Sequence, residues 1–191
     1  MFVSEVYSQR TVTELQAACS RGLTGQRNAA LLAVLRASGL RISEALALRV
    51  GDVFEHEGSV GLHVRCGKGR KERRVAVTQD GIEPLRTWQR ARASLPGDVL
   101  FPTLAGGKLD TSYVRHLLPR LARKAGVTQR VHAHGLRHTH AFGLANAGVP
   151  VHVVQRQLGH SSLDTTGRYL DHLGASGVLD HVASVRLGGV A

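Results

Sequence analysis

Val60-Gly61-Leu62-His63-Val64-Arg65, Cys66-Gly67-Lys68-Gly69-Arg70-Lys71-Glu72, Arg73-Arg74-Val75-Ala76-Val77-Thr78: the fold turns on how this stretch is read. Val60, Leu62 and Val64 fall on one face and Gly61, His63 and Arg65 on the other, the period-two signature of a half-buried strand. A second strand is expected over 73–78. Gly67 and Gly69 suit a tight reversal between the two, so the stretch reads as a β-hairpin. Its tip is cationic. Residues 65–74 carry Arg65, Lys68, Arg70, Lys71, Arg73 and Arg74 against Glu72 alone, a net of 6 − 1 = +5.

Outward from the hairpin the texture is helical. Upstream, Leu15 and Ala18 begin a helical pattern that Thr11 or Thr13 could cap, a helix is expected over 27–37 before Ser38-Gly39 stops it, and another over 40–48. Downstream, helical spacing predicts helices over 80–93, 111–125, 136–147, 151–158 and a short one over 163–172. The expected fold class is mostly α with a small antiparallel β-sheet (α+β). No interdomain boundary, internal repeat or low-complexity tract interrupts it.

Composition narrows the partner. The chain has 191 residues, with 25 Lys and Arg against 14 Asp and Glu, hence a formal charge of +11, which makes a polyanion the expected partner. At 42% hydrophobic and 20% charged it is too apolar for a disordered basic tail and can build a core. Aromatics reach only 4%, too few for base-stacking platforms, which points to phosphates and duplex DNA rather than single strands. Cys19 and Cys66 form no metal knuckle or disulfide framework, and no apolar run is long enough to span a membrane. A reducing, cytoplasmic setting with no membrane association is the expectation.

The C-terminal third holds His132, His134, Arg137, His138, His140, His152, His160, Arg168 and Tyr169. Three chemistries compete for them. A metal site would use His134 and His138, four apart on a helix, but Gly135 stands where a metalloprotease motif needs Glu, so no metal is expected. Ordinary structural or solvated histidines are the second reading, and it suits His140, His152 and His181. Metal-free phosphoryl transfer is the third: guanidinium groups replace the cation by bidentate hydrogen bonds to phosphodiester oxygens, a tyrosine supplies the nucleophile, and an acid protonates the leaving oxygen.

Five motifs, in order over 39–169, carry a resemblance. They are Gly39-Leu40-Arg41-Ile42-Ser43-Glu44 followed by Leu48 and Asp52; Gly67-Lys68-Gly69-Arg70-Lys71-Glu72-Arg73; His134-Gly135-Leu136-Arg137-His138; Gln157-Leu158-Gly159-His160 with Ser161-Ser162; and Thr165-Thr166-Gly167-Arg168-Tyr169. Together they resemble the catalytic domain of the tyrosine recombinases, the phage-integrase family. Ala133 departs from the proline often found before the second box. The resemblance implies that fold over 1–172, with a tail, 173–191, whose stripe of Val178, Val182 and Val185 packs on a neighbouring protomer or in the same core.

The same resemblance implies a division of labour. Arg41 and Arg137 would clamp the scissile phosphate, Lys68 would protonate the departing 5′ oxygen, and His134 would act as base or donor beside the nucleophile. His160 would donate to a phosphate oxygen, and Tyr169 would attack phosphorus to give a 3′-phosphotyrosyl enzyme. No cofactor is needed. Lys71 rivals Lys68 for the acid, and the hairpin cations Arg65, Arg70, Lys71, Arg73 and Arg74 are expected to grip DNA phosphates. Against Arg41 stands the plain alternative of a pair with Glu44 three residues on, and against His134 that of a helix N-terminal residue. Implied partners are duplex DNA with specific recombination sites, a homo-tetramer on paired sites and accessory DNA-bending proteins. Two other functions stay open on the same fold: relaxation of supercoils in the manner of a type IB topoisomerase, and catalytically silent DNA-binding regulation. With only 40 residues before Arg41, the chain resembles short members of the family that lack a separate core-binding domain, or else a catalytic fragment of a longer one.

Overall fold

The structure is a computed structural model that describes residues 6–65 and 72–159. Lys68, Arg70, Lys71, His160, Tyr169, the expected helix over 163–172 and the tail over 173–191 lie outside them.

Helix α1 spans Gln9–Ala17. Its cap is neither Thr11 nor Thr13 but Ser8, whose Oγ accepts from the Thr11 amide at 3.0 Å, so the helix begins before the first apolar repeat. Helix α2, Leu23–Ser38, starts a turn earlier than its apolar run, at Gly22 in extended backbone. It is buried nearly all round, with Leu31, Leu32, Val34 and Leu35 at most 2% exposed, which makes it the central rod of the core. Gly39 ends it in the left-handed conformation, φ +65°. The next helix, α3 (Ile42–Ala47), is shorter than the expected 40–48 because Arg41 stays extended as its N-cap and Leu48 leaves it extended again.

A short 3-10 turn, Val50–Asp52, feeds a strand that the sequence pattern did not reveal. This is β1, Val53–His56, followed by β2, Ser59–Val64, and β3, Arg73–Ala76, in an antiparallel meander ordered β1-β2-β3. Val53 faces Leu62 and His56 faces Ser59, so Glu57-Gly58 is a two-residue turn with both residues at positive φ. Four residues ending in Glu55-His56 show no clear alternation, and Glu is not a residue that such a turn favours, which explains why β1 was hidden. The expected second strand ends at Ala76, two residues short.

Helices α4 (Gln79–Arg92), α5 (Thr111–Lys124), α6 (Ala133–Asn146) and α7 (Val151–Leu158) complete the fold. Helix α6 begins three residues before the expected 136, because His132 caps it through Nδ1, which accepts from the Gly135 amide at 3.1 Å. One core joins α1 to α5, the sheet and Leu136 of α6; Ala141, Val154 and Leu158 form a smaller cluster between α6 and α7. Three buried side chains donate to carbonyls: Trp88 Nε1 to Leu100 O, Arg92 Nε to Val99 O and Arg27 Nη1 to Pro102 O. Gln157 ties α7 to the sheet. Its amide acts as an extra strand residue on β3, accepting from the Ala76 amide at 3.0 Å and donating to the Ala76 carbonyl at 2.7 Å and to Ser38 O at 3.1 Å.

Candidate active site

Arg137 is the hub. It lies 2% exposed on α6, and its two terminal nitrogens donate to backbone carbonyls that belong to distant segments, Gly39 O at 2.7 Å and Leu158 O at 2.8 Å. Gly39 directly precedes Leu40-Arg41, and Leu158 directly precedes Gly159-His160. Both carbonyls lie at helix C-termini, where orphan acceptors and negative partial charge suit a guanidinium. Both helices end in a left-handed glycine, Gly39 at φ +65° and Gly159 at φ +68°. A Cβ on Gly39 would sit 2.5 Å from His140 Cδ2 and 2.9 Å from Leu158 Cδ2, so no larger residue lets α2, α6 and α7 meet this closely.

Arg41 lies beside this hub at the start of α3. Glu44 Oε2 accepts from the Arg41 amide at 2.9 Å, and Glu44 Oε1 accepts from Arg41 Nη1 at 3.2 Å, so the pair weighed against a catalytic Arg41 does form. Its geometry holds the arginine at a helix terminus with one third of the side chain exposed. Burial of Glu44 works to raise its pKa, but hydrogen bonds from Arg73 and the Arg41 amide, with the charges of both arginines, outweigh it and hold the carboxyl at about 2.

Two carboxylates of this segment hold the feet of the cationic hairpin. Asp52, 1% exposed, accepts from the Arg49 amide at 2.8 Å and from Arg65 Nε at 2.6 Å, at the last described residue of the first foot. Glu44 takes both nitrogens of Arg73, at 3.0 and 2.9 Å, at the first residue of β3. Arg65 and Arg73, the two cations that flank 66–71 in sequence, are therefore both tied to carboxylates, Arg73 to that of the Arg41 helix. Of the cations expected to grip DNA, Arg73 is turned inward, Arg65 is held by Asp52, and Arg74 lies over the Phe54 ring at 5.3 Å.

His134 stands in the first turn of α6, its ring edge-on to His138 at 4.2 Å between centroids. Tyr7 supports that turn, a task the sequence did not disclose. Its hydroxyl donates to Arg130 O and accepts from the His132 amide, both at 3.1 Å, while its own amide donates to Thr139 Oγ1 at 2.9 Å. Gly135 is required beneath it, since a Cβ there would run into the Tyr7 hydroxyl. Tyr113 instead joins Arg27 and Asn28 in a buried network away from this region. His140 is buried and structural, donating from Nδ1 to Arg36 O at 3.0 Å. Among the described residues no three His, Cys, Asp or Glu side chains converge as a metal would require, and no helix is long and apolar enough to cross a membrane.

The structure thus links Arg41, Arg137, the residue before Gly159-His160 and the first residue of β3 through shared hydrogen bonds, with His134 in the first turn of the helix that carries Arg137. Comparison with known proteins gives the chain its family. The Phage integrase family model matches residues 5–175, and the chain belongs to that family. It is 37% identical over 152 residues to tyrosine recombinase XerC of Bacillus subtilis (strain 168), and 38% identical over 168 residues to tyrosine recombinase XerD of Pseudomonas putida. These matches cover 76% and 85% of this chain but 49% and 52% of the relatives, so the chain spans about half the length of the curated relatives it matches. Among solved structures, XerA recombinase superposes with a TM-score of 0.78 at 30% identity, covering 95% of this chain and 64% of that one. XerH recombinase bound to its palindromic difH substrate in a post-cleavage complex gives 0.75 at 27% identity, covering 94% of this chain and 52% of that one.

Proposed function

We propose that the chain is the catalytic part of a site-specific DNA recombinase that cuts and rejoins duplex DNA through Tyr169. The phenolic oxygen of Tyr169 attacks phosphorus, forming the O–P bond as the bond to the 5′ oxygen breaks. Its proton passes to His134, and the 5′ oxygen takes one from Lys68 or Lys71. Arg41, Arg137 and His160 stabilise charge on the non-bridging oxygens. Attack by another 5′ hydroxyl reverses the step, so the phosphodiester's energy is kept and no cofactor is consumed. One observation supports this above the rest: Arg137, 98 residues from Gly39 in sequence, binds the carbonyls that lead into Arg41 and into His160.

In the same reading four copies assemble on paired sites in the cytoplasm, with accessory DNA-bending proteins arranging them. Residues 1–172 form the catalytic domain and 173–191 pack on a neighbouring protomer. A groove of about 640 Å³ between α3, α5 and α6, with Ile42, Leu118 and Val131 inside and Arg115, Arg123 and Arg130 around it, offers the Val178, Val182, Val185 stripe a seat.

Covalent trapping tests the chemistry. Nicked duplexes are incubated with the protein in chelator, and an SDS-resistant adduct is expected from the native chain and not from Tyr169→Phe. DNA binding without an adduct would favour a silent regulator, and an adduct that survives Tyr169→Phe would assign the nucleophile elsewhere.

A further inference from the structure

Glu44 is one carboxylate shared unequally by two guanidiniums. Arg73 approaches it with a two-point contact, Nη1 to Oε1 at 3.0 Å and Nη2 to Oε2 at 2.9 Å, and Nη2 also reaches Leu158 O at 3.2 Å. Arg41 has a single side-chain contact of 3.2 Å to the same carboxylate. Arg73 is 15% exposed where Arg41 is 33% exposed. Arg73 is also fitted by shape: a Cβ on Gly159 would lie 2.6 Å from its Nε, and that Nε is buried with no hydrogen-bond partner.

We propose that Arg73 is a positioning residue that satisfies Glu44 and so keeps Arg41 open to a phosphate, rather than a DNA contact itself. The inference rests on the recombinase reading, in which Arg41 touches the scissile phosphate. A mostly buried carboxylate demands a cation, and a bidentate arginine is the strongest partner it can have. With the charge of Arg73 removed, Arg41 is the remaining cation already touching Glu44, and it swings fully onto the carboxylate. Cleavage then has to break that pair before the phosphate can be held. Arg73 also joins three segments at one point: the hairpin foot, the Arg41 helix and the carbonyl before Gly159-His160.

Charge and shape separate in the variants. Arg73→Gln keeps hydrogen-bonding capacity and removes charge; Arg73→Lys keeps charge and loses the fork. Single-turnover adduct formation on nicked duplex should fall about tenfold or more in Arg73→Gln and stay within about fivefold of native in Arg73→Lys. Adding Glu44→Gln to Arg73→Gln removes the charge that captures Arg41 while leaving an oxygen for its amide, so activity should rise at least about threefold above Arg73→Gln alone. The salt slope of DNA binding should stay at the native value in all three. A double variant no better than Arg73→Gln, an Arg73→Lys as poor as Arg73→Gln, or a slope reduced by about 1, as loss of a phosphate contact gives, overturns the inference and leaves the recombinase reading standing. A native chain that forms no adduct overturns both. Should Arg73→Gln fail to fold, Arg73→Lys decides: activity within about fivefold of native supports the inference, and a larger loss overturns it.

Discussion

His140 shows at the scale of one residue what the close meeting of α2, α6 and α7 costs. The Arg36 carbonyl can only accept, so Nδ1 carries the proton and Nε2 is the acceptor facing Gln157 Nε2 at 3.4 Å. Burial is the main reason its pKa drops, from 6.5 to about 4, with the Arg36 and Arg137 charges adding to it and the Arg36 carbonyl and Asp80 opposing. Between those values the unfolded chain binds a proton that the folded chain refuses. Stability is therefore fully present above about pH 6.5 and is lost as pH falls toward about 4, by about 2 kcal/mol between pH 7 and pH 5. Glu44, held at about 2, contributes a loss only below about pH 4.5. Urea midpoints at about pH 7 and about pH 5 check this: the difference should shrink in His140→Asn, which keeps a donor near Nδ1 and does not titrate. An unchanged pH dependence in that variant would assign the effect to other groups.

The elements that matter most are the two helices closed by left-handed glycines, because Gly39 O and Leu158 O fix Arg137. Gly39→Ala adds left-handed strain and a clash with His140, and should destabilise the fold by at least about 2 kcal/mol. Gly126 also has positive φ but nothing within 4 Å of an added Cβ, so Gly126→Ala should cost only the strain. Adduct yield under folding conditions should fall in the first variant and hold in the second; equal effects would show that Arg137 does not depend on this cap. Ser38-Gly39 was readable as a helix stop from sequence, as were the apolar strand β2 and helices α4, α5 and α7, because composition and period agree there. The beginnings of α1, α2 and α6 were misplaced, since each cap lies before the apolar repeat that a pattern detects. Within the candidate site, motif resemblance supplied the candidate residues, but spacing could not supply the shared carboxylate. Glu44 looks in sequence like a partner for Arg41 alone, and only the approach of β3 turns Arg73 toward it.

Across the whole molecule the charge of +11 is unevenly used. Arg27 and Arg92 are buried on carbonyls, Arg73 and Arg65 are held by carboxylates, and Arg36 lies against Asp80 at 3.0 Å. These cations are engaged within the fold and are not all available to a polyanion. Each phosphate neutralised releases condensed counterions, so the logarithm of affinity falls with the logarithm of salt at about 0.9 per contact. If the hairpin cations 68–71 and the exposed arginines supply about six or more contacts, affinity for a non-specific duplex should drop about a thousandfold or more between about 50 mM and about 200 mM salt. Lys71→Gln, in the cationic segment, should reduce the slope by about 1, whereas Arg73→Gln, two residues from it along the chain but facing Glu44, should leave the slope intact. Fluorescence anisotropy with a short duplex over a salt series measures both. A slope near zero in the native chain would mean that its excess charge serves the fold and not a phosphate backbone, and equal reductions in the two variants would mean that Arg73 leaves Glu44 when DNA arrives.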